Sequence, residues 1–256
     1  MVSGVRMQRA IMVVDQTLLS CVDLAVQSLH RVSPSAEILV FGVGLSISQK
    51  KKLEEAGALI RDLQLSTEDW LNHWFFFKPK SYSWVIHQPG DQVLLLDVDM
   101  LFFGDPWGCF GDFDVGFCLR NRDRKYGPFN GGLVALTASQ AVNSFMDLWC
   151  SQIINPTWKE ISEWKSRTKN RSELTARWSN QYFQFAAMDR RETLPWQLKI
   201  QALSPIWNWL AVKSYGKSFQ ELEFYRPKVV HFKANSRMSM FRIAKECLGL
   251  EVWNGK

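Results

Sequence analysis

The first hundred residues alternate between short apolar runs and amphipathic stretches, and this rhythm restricts the fold more than any other feature of the chain. Ala10 to Val14 reads as a strand buried on both faces, ending at Asp15, Gln16 and Thr17. Leu19, Val22, Val26 and Leu29 then share one face of a helix, with Pro34 beyond its end. Glu37 to Phe41 is a second strand. A helix follows from Ser48 to Ala56, with Gly57 as its C-terminal cap, and Leu59 to Leu63 is a third, short strand. Strands separated by helices pair in parallel through crossovers rather than as hairpins. The pattern predicts an α/β protein with a single doubly wound, mixed, mainly parallel sheet carrying helices on both faces. Gly42-Val-Gly44 lacks the third glycine of a dinucleotide fingerprint and reads as a turn leaving the second strand.

The aromatic segment from Ser66 to His87 reads as helix in two pieces, broken at Lys78-Pro79. A tight turn at Gln88 to Asp91 then feeds an apolar run that starts at Val93 and places two carboxylates, Asp97 and Asp99, where it gives way to a turn. In extended chain, residues two apart point to the same side, so the two carboxylates would converge at the strand's carboxyl end with Val98 in the core. That end is where open α/β sheets bind ligands. Two ionised carboxylates this close repel, more so when buried. A divalent cation relieves the repulsion and would also hold an anionic substrate. Turn capping is the bland alternative for such a pair. A phosphatase with an aspartate nucleophile expects Thr two positions further on, where this chain has Leu101.

Downstream, strands are expected at Asp114 to Leu119, Asn130 to Leu136, Trp196 to Leu203 and Lys228 to Phe232. Thr137 to Gln140 fits a capping box opening a helix to about Ile153, and Thr157 to Glu160 a second box opening a polar stretch to Arg177. Ser179 to Met188 reads as helix. No repeat, low-complexity tract or linker interrupts the chain, which favours one unit. Hydrophobic residues at 46% against charged residues at 22% exclude global disorder. The net charge of +6 fits an anionic ligand, an anionic membrane surface or a nucleic acid, and selects none of them. The five cysteines include no C-x-x-C pair, so a disulfide framework and a zinc site are both disfavoured and a reducing cytoplasm is expected. The sequence shows no signal-peptide core and no apolar run long enough to cross a bilayer, so membrane contact is expected to be peripheral at most. The basic runs Arg120 to Lys125 and Lys159 to Arg177 read as solvated faces, with contact to an anionic acceptor as the functional alternative.

The segment from Val93 through Asp97, Asp99 and Asp105 to Pro106 resembles the metal motif of the GT-A-fold glycosyltransferases. It is most similar to the retaining glycosyltransferase family 8, with its glycogenin and bacterial lipopolysaccharide-sugar transferase relatives. Other matches follow in order: Asp15 after the first strand, Lys78-Pro79, Phe129 to Gly132, Asn180-Gln181, Leu203 to Asn208, and His231 at the end of the last strand. The resemblance implies a GT-A fold and transfer of a sugar from a nucleotide diphosphate sugar, a UDP-sugar, to a saccharide or other hydroxyl acceptor with retention. It implies Mn²⁺ or Mg²⁺ on Asp97, Asp99 and His231. Asp15, Gln16, Lys78, Asp97 and Val98 would contact the nucleotide, Lys233 and Arg237 the diphosphate, and Asn130, Gly131 and Gly132 the donor sugar. Gln181, with Asn180 beside it, would sit at the reacting face; an amide is a poor nucleophile, which suits a positioning or electrostatic role. Residues 1–105 would form a nucleotide-binding half and 106–256 an acceptor-binding half of one domain. A saccharide or lipid-linked acceptor is favoured over nucleic acid. Two departures stand out: Asn180 replaces the family's Asp, and Ala234 replaces a glycine, while Arg237 keeps the positive charge of the family's Lys. Two other readings stay open, a transferase acting on modified nucleic acid bases and a non-catalytic binder of nucleotide sugars or saccharides.

Overall fold

The computed structural model describes residues 6–65, 76–119, 129–154, 197–211, 215–233 and 236–253. Its strands are β1 (Gln8–Asp15), β2 (Glu37–Val43), β3 (Leu59–Leu63), β4 (Gln92–Leu96), β5 (Met100–Phe102), β6 (Val115–Leu119), β7 (Phe129–Thr137), β8 (Ile200–Leu203), β9 (Trp209–Leu210) and β10 (Val229–His231). The longer helices are α1 (Leu19–Val32), α2 (Ile47–Glu55), α3 (Gln140–Ile154), α4 (Tyr215–Tyr225) and α5 (Arg237–Leu248). Seven strands form one sheet in the order β3-β2-β1-β4-β7-β6-β8. β1 is parallel to β2 and β4, and β2 to β3; β7 runs antiparallel to β4 and β6, and β8 parallel to β6. The mixed, mainly parallel sheet is the predicted one. A separate three-stranded sheet, β5-β10-β9, was not expected from the sequence.

Both faces of the central strands of the large sheet are buried, which is why β1, β2 and β4 lack polar alternation, while the edge strands β3 and β8 are largely exposed. Ala10, Met12, Leu94 and Leu96 pack with Val22, Val26 and Leu29 of α1 and Leu53 of α2. Their neighbours Ile11, Val93, Leu95 and Val134 point the other way, against Val142, Phe145 and Trp149 of α3. Each fully buried Val, Leu, Ile, Phe or Met side chain among them contributes about 1.5–3 kcal/mol by leaving water. A third cluster holds the small sheet: Leu101, Val230 and Phe232 lie among Leu24 of α1 and Met240 and Ile243 of α5.

Local chemistry sets the helix ends. Ser46 and Gln49 form the capping box of α2, and Gly57 follows its last turn at φ +107°. His30 and Arg31 lie in the last turn of α1, where cations favour the helix dipole. Two expectations need correction. Thr137 does not cap α3; it closes β7 and its hydroxyl donates to Phe113 O at 2.8 Å, while Ser139 Oγ accepts the N–H of Val142. Residues 76–82 are helical without a break at Lys78-Pro79. The turn before β4 is as expected, with Asp91 N donating to Gln88 O at 3.0 Å. The expected elements at Thr157 to Arg177 and Ser179 to Met188, and the basic run Arg120 to Lys125, lie outside the described residues.

One buried carboxylate has no part in the clusters above. Asp23 of α1 accepts a hydrogen bond from Gln27 Nε2 through Oδ2 at 2.8 Å, while its buried Oδ1 has no hydrogen-bond partner. Burial pushes its pKa up from 3.8 to about 6, against the opposing pull of Lys52 and Gln27. The folded chain therefore holds this proton more tightly than the unfolded chain. Asp23 imposes no penalty below about pH 4, an increasing one as pH rises to about 6, and a constant one above that. Asp23→Asn is expected to raise stability by about 1–2 kcal/mol near neutral pH, with the gain vanishing near pH 4. Urea unfolding at the two pH values measures this, and an equal difference at both would contradict it.

Candidate functional site

The seam between the two sheets gathers the polar residues. β4 ends at Leu96, the chain bends through Asp97, Val98 and Asp99, and β5 begins at Met100 in the other sheet. The two carboxylates therefore meet across a bend and not along an extended strand, while Val98 is buried as expected. Backbone bonds pin both ends of the bend: Asp97 N donates to Gly132 O at 2.7 Å and Phe232 N donates to Asp99 O at 2.7 Å. The antiparallel register sets His231 opposite Met100, one residue from Asp99. β1 and β4 are parallel, with Met12 opposite Leu96, so Asp15 leaves the sheet at the same end as Asp97.

Three donor atoms converge. His231 Nε2 lies 3.3 Å from Asp97 Oδ2 and 3.1 Å from Asp99 Oδ1. It makes no hydrogen bond despite full burial. Each carboxylate uses its other oxygen elsewhere. Asp97 Oδ1 accepts from Lys78 Nζ at 2.7 Å, and Asp99 Oδ2 from Arg237 Nε and Nη2, both at 2.8 Å. Two carboxylate oxygens and an imidazole nitrogen left without a hydrogen bond form a donor set that could hold a divalent cation. Adjacent ligands of a small cation sit about 3 Å apart, as follows from metal–ligand distances near 2.1 Å, so the spacing around His231 fits. The Asp97 side chain keeps 23% of its surface open against 1% for His231, which leaves Asp97 as the side from which a ligand can approach.

Charge supports the same picture. Burial opposes ionisation of Asp97, yet Lys78, His231 and Lys233 outweigh it and its pKa is lowered. Burial likewise opposes ionisation of Asp99, and His231 and Arg237 hold its carboxyl well below the usual range. Burial, with Lys233, lowers the pKa of His231 against the upward pull of Asp99 and Asp97, and a ligating imidazole nitrogen must give up its proton. Lys78 is itself buried; its ammonium also donates to the carbonyls of Gly131 at 2.6 Å and Gly132 at 3.0 Å. Those three acceptors match its three protons.

The other expected residues fall in different places. Asn130 is buried and its amide bonds Asn208, whose own amide reaches Asn130 O and the imidazole of His231. Gly132 packs against that imidazole so closely that a Cβ would overlap it. Asp15 caps the short turn after β1, accepting from Thr17 N at 2.9 Å, and Gln16 beside it is exposed. Lys233, two residues beyond His231, is half-buried. Asn180, Gln181 and Ala234 lie outside the described residues. Asn208 lies at the end of the Leu203 to Asn208 match, but no local pattern gives it a role; its contact with His231 spans 23 positions and depends on β9 pairing with β10.

The fold has solved counterparts. The galactosyltransferase LgtC, crystallised in complex with donor and acceptor sugar analogs, is similar with a TM-score of 0.54 and 14% identity over 89% of this chain and 87% of LgtC. The glycosyltransferase GlyE of Streptococcus pneumoniae gives 0.56 and 15% over 93% of this chain, which spans 60% of GlyE. Mouse xyloside xylosyltransferase 1 in its apo form gives 0.53 and 12% over 90% of this chain and 98% of the enzyme. The chain thus has the fold of these glycosyltransferases, and the GT-A expectation holds at the level of fold. No family model matches the sequence, and no curated protein matches it at a significant level.

Proposed function

We propose that this protein is a glycosyltransferase that moves a sugar from a nucleotide diphosphate sugar, a UDP-sugar, to a hydroxyl of a saccharide or lipid-linked acceptor. The observation that carries the reading is the meeting of Asp97 Oδ2, Asp99 Oδ1 and the unbonded Nε2 of His231 at the carboxyl end of the parallel strands. These three side chains would hold Mn²⁺ or Mg²⁺. Such a cation supplies Lewis-acid stabilisation of the negative charge that a departing diphosphate develops.

The chain's own residues divide the remaining work. Lys78 and Arg237 fix one oxygen of each aspartate and leave the other aimed at His231. Arg237, at the first turn of α5, is also the residue we assign to the diphosphate with Lys233, as charge-assisted donors. Asp15 and Gln16 flank the nucleotide, with Val98 packed beneath it, and Asn130, Gly131 and Gly132 border the donor sugar. We place Gln181, with Asn180, beside the reacting carbon in a positioning role; an LgtC variant described as an active-site mutant changes a glutamine to glutamate, which supports attention to this residue. Retention follows from the family resemblance, and a same-face displacement in which the leaving phosphate accepts the acceptor's proton needs no strong protein base. Residues 1–105 would bind the nucleotide and 106–256 the acceptor. The five free cysteines support a reducing, cytoplasmic setting. Among the described residues no helix is long and apolar enough to cross a membrane.

The test is nucleotide release from a panel of nucleotide sugars, with and without Mn²⁺, in the presence of simple saccharide acceptors. Release from one donor that requires the metal is the expected result. Donor binding without release under any acceptor would make the protein a binder, and absence of donor binding would refute the reading.

A further inference from the structure

We propose that Asn208 is a positioning residue that keeps a proton on His231 Nδ1 and so reserves Nε2 for a cation. The consequence for metal binding rests on the reading above; the geometry rests on hydrogen bonds between two asparagine side chains, the backbone and the His231 ring. Gly132 N–H donates to Asn130 Oδ1 at 3.3 Å, which fixes the orientation of that amide, and Asn130 Nδ2 donates to the carbonyl of Asn208 at 3.1 Å. Asn208 Nδ2 donates to the carbonyl of Asn130 at 3.2 Å. A carbonyl oxygen has no proton to give, so the Asn208 nitrogen must face it and Asn208 Oδ1 must face the imidazole.

Asn208 Oδ1 lies 3.1 Å from His231 Nδ1. An amide oxygen only accepts, so Nδ1 carries the proton and donates it. The other ring nitrogen is left facing Asp97 and Asp99. Turning the Asn208 amide over would set two oxygens against each other. Asn130, Asn208 and His231 are all buried, so bulk water offers no substitute partner. The backbone of β7 at Gly132 closes the space the ring would need to swing. A partner that fixes the tautomer of a ligating histidine typically changes metal affinity by tenfold to a hundredfold.

The test pairs long-range ¹H–¹⁵N correlation spectra of the His231 ring with Mn²⁺ titration by calorimetry. In the wild-type protein Nδ1 should be protonated. Asn208→Leu should lose that defined proton and bind Mn²⁺ about tenfold to a hundredfold more weakly. Asn208→Asp keeps an acceptor toward Nδ1 and, with its proton on the oxygen that faces the Asn130 carbonyl, keeps that contact too, so it should restore the Nδ1 proton. An unprotonated Nδ1 in the wild type overturns the inference, and this measurement decides even if Asn208→Leu does not fold. Equal Mn²⁺ affinity in wild type and folded Asn208→Leu also overturns it while leaving the metal site standing. A wild-type protein that binds no Mn²⁺ removes the metal reading, and the inference falls with it.

Discussion

Asp99→Asn is expected to abolish metal-dependent nucleotide release and to weaken Mn²⁺ binding by at least about a hundredfold, more than loss of an outer partner would. The change is isosteric, so packing is not the cause. Asp97 and Asp99 are the two negative charges of the cluster, set against Lys78 and Arg237. Removing one leaves the positive charges of Lys78 and Arg237 in excess around the cluster, with Lys233 adding to them. A divalent cation would then enter a site that repels it. The amide also loses the charge that holds Arg237 Nε and Nη2 at 2.8 Å. Calorimetric or paramagnetic Mn²⁺ titration, run beside the nucleotide-release assay, checks both consequences. Unaltered Mn²⁺ affinity in the folded variant would exclude Asp99 as a ligand.

Gly132→Ala is expected to disable the same site by a steric route. A methyl group there would overlap His231 Nδ1 and Cε1 and come within 3.0 Å of Asn208 Oδ1. The imidazole is buried and β7 is an interior strand, so neither side can yield without disturbing the core. Overpacking of this kind costs about 1–3 kcal/mol or more. The ring would be driven from the carboxylates, so Mn²⁺ affinity should fall with stability. Gly216→Ala is the control: nothing lies within 4 Å of its Cβ position and it sits in α4. That change should be neutral or stabilise by up to about 1 kcal/mol. Thermal unfolding and Mn²⁺ titration of both variants read the contrast; a Gly132→Ala protein with wild-type stability and affinity would refute the close packing.

The two expected effects arise from different levels of the molecule. Asp97 and Asp99 were readable in the sequence because an apolar run ending in paired carboxylates is a local pattern. The strand–helix rhythm was equally local, and β1, β2 and β3 lie where the apolar runs placed them. The start of α3 was misplaced because Thr137 and Ser139 both suit a cap, and only the pairing of β7 shows that the first still belongs to the sheet. The roles of Lys78 and Arg237 were also incomplete in the sequence. A lysine 19 positions before Asp97 and an arginine 138 positions after Asp99 carry no sign of which carboxylate each will meet.

What the sequence determined by itself was the frame: buried strands joined by amphipathic helices, two carboxylates at a strand end, and a histidine closing the last strand. Period and composition encode those features within a few residues of one another. The tertiary structure alone decided that the chain leaves one sheet at Leu96 and enters another at Met100, that His231 lies opposite that entry, and that Asn208, held by Asn130, and Gly132 pack against its ring. These contacts join residues far apart in sequence, and their partners are selected by sheet order and burial, which no local pattern records.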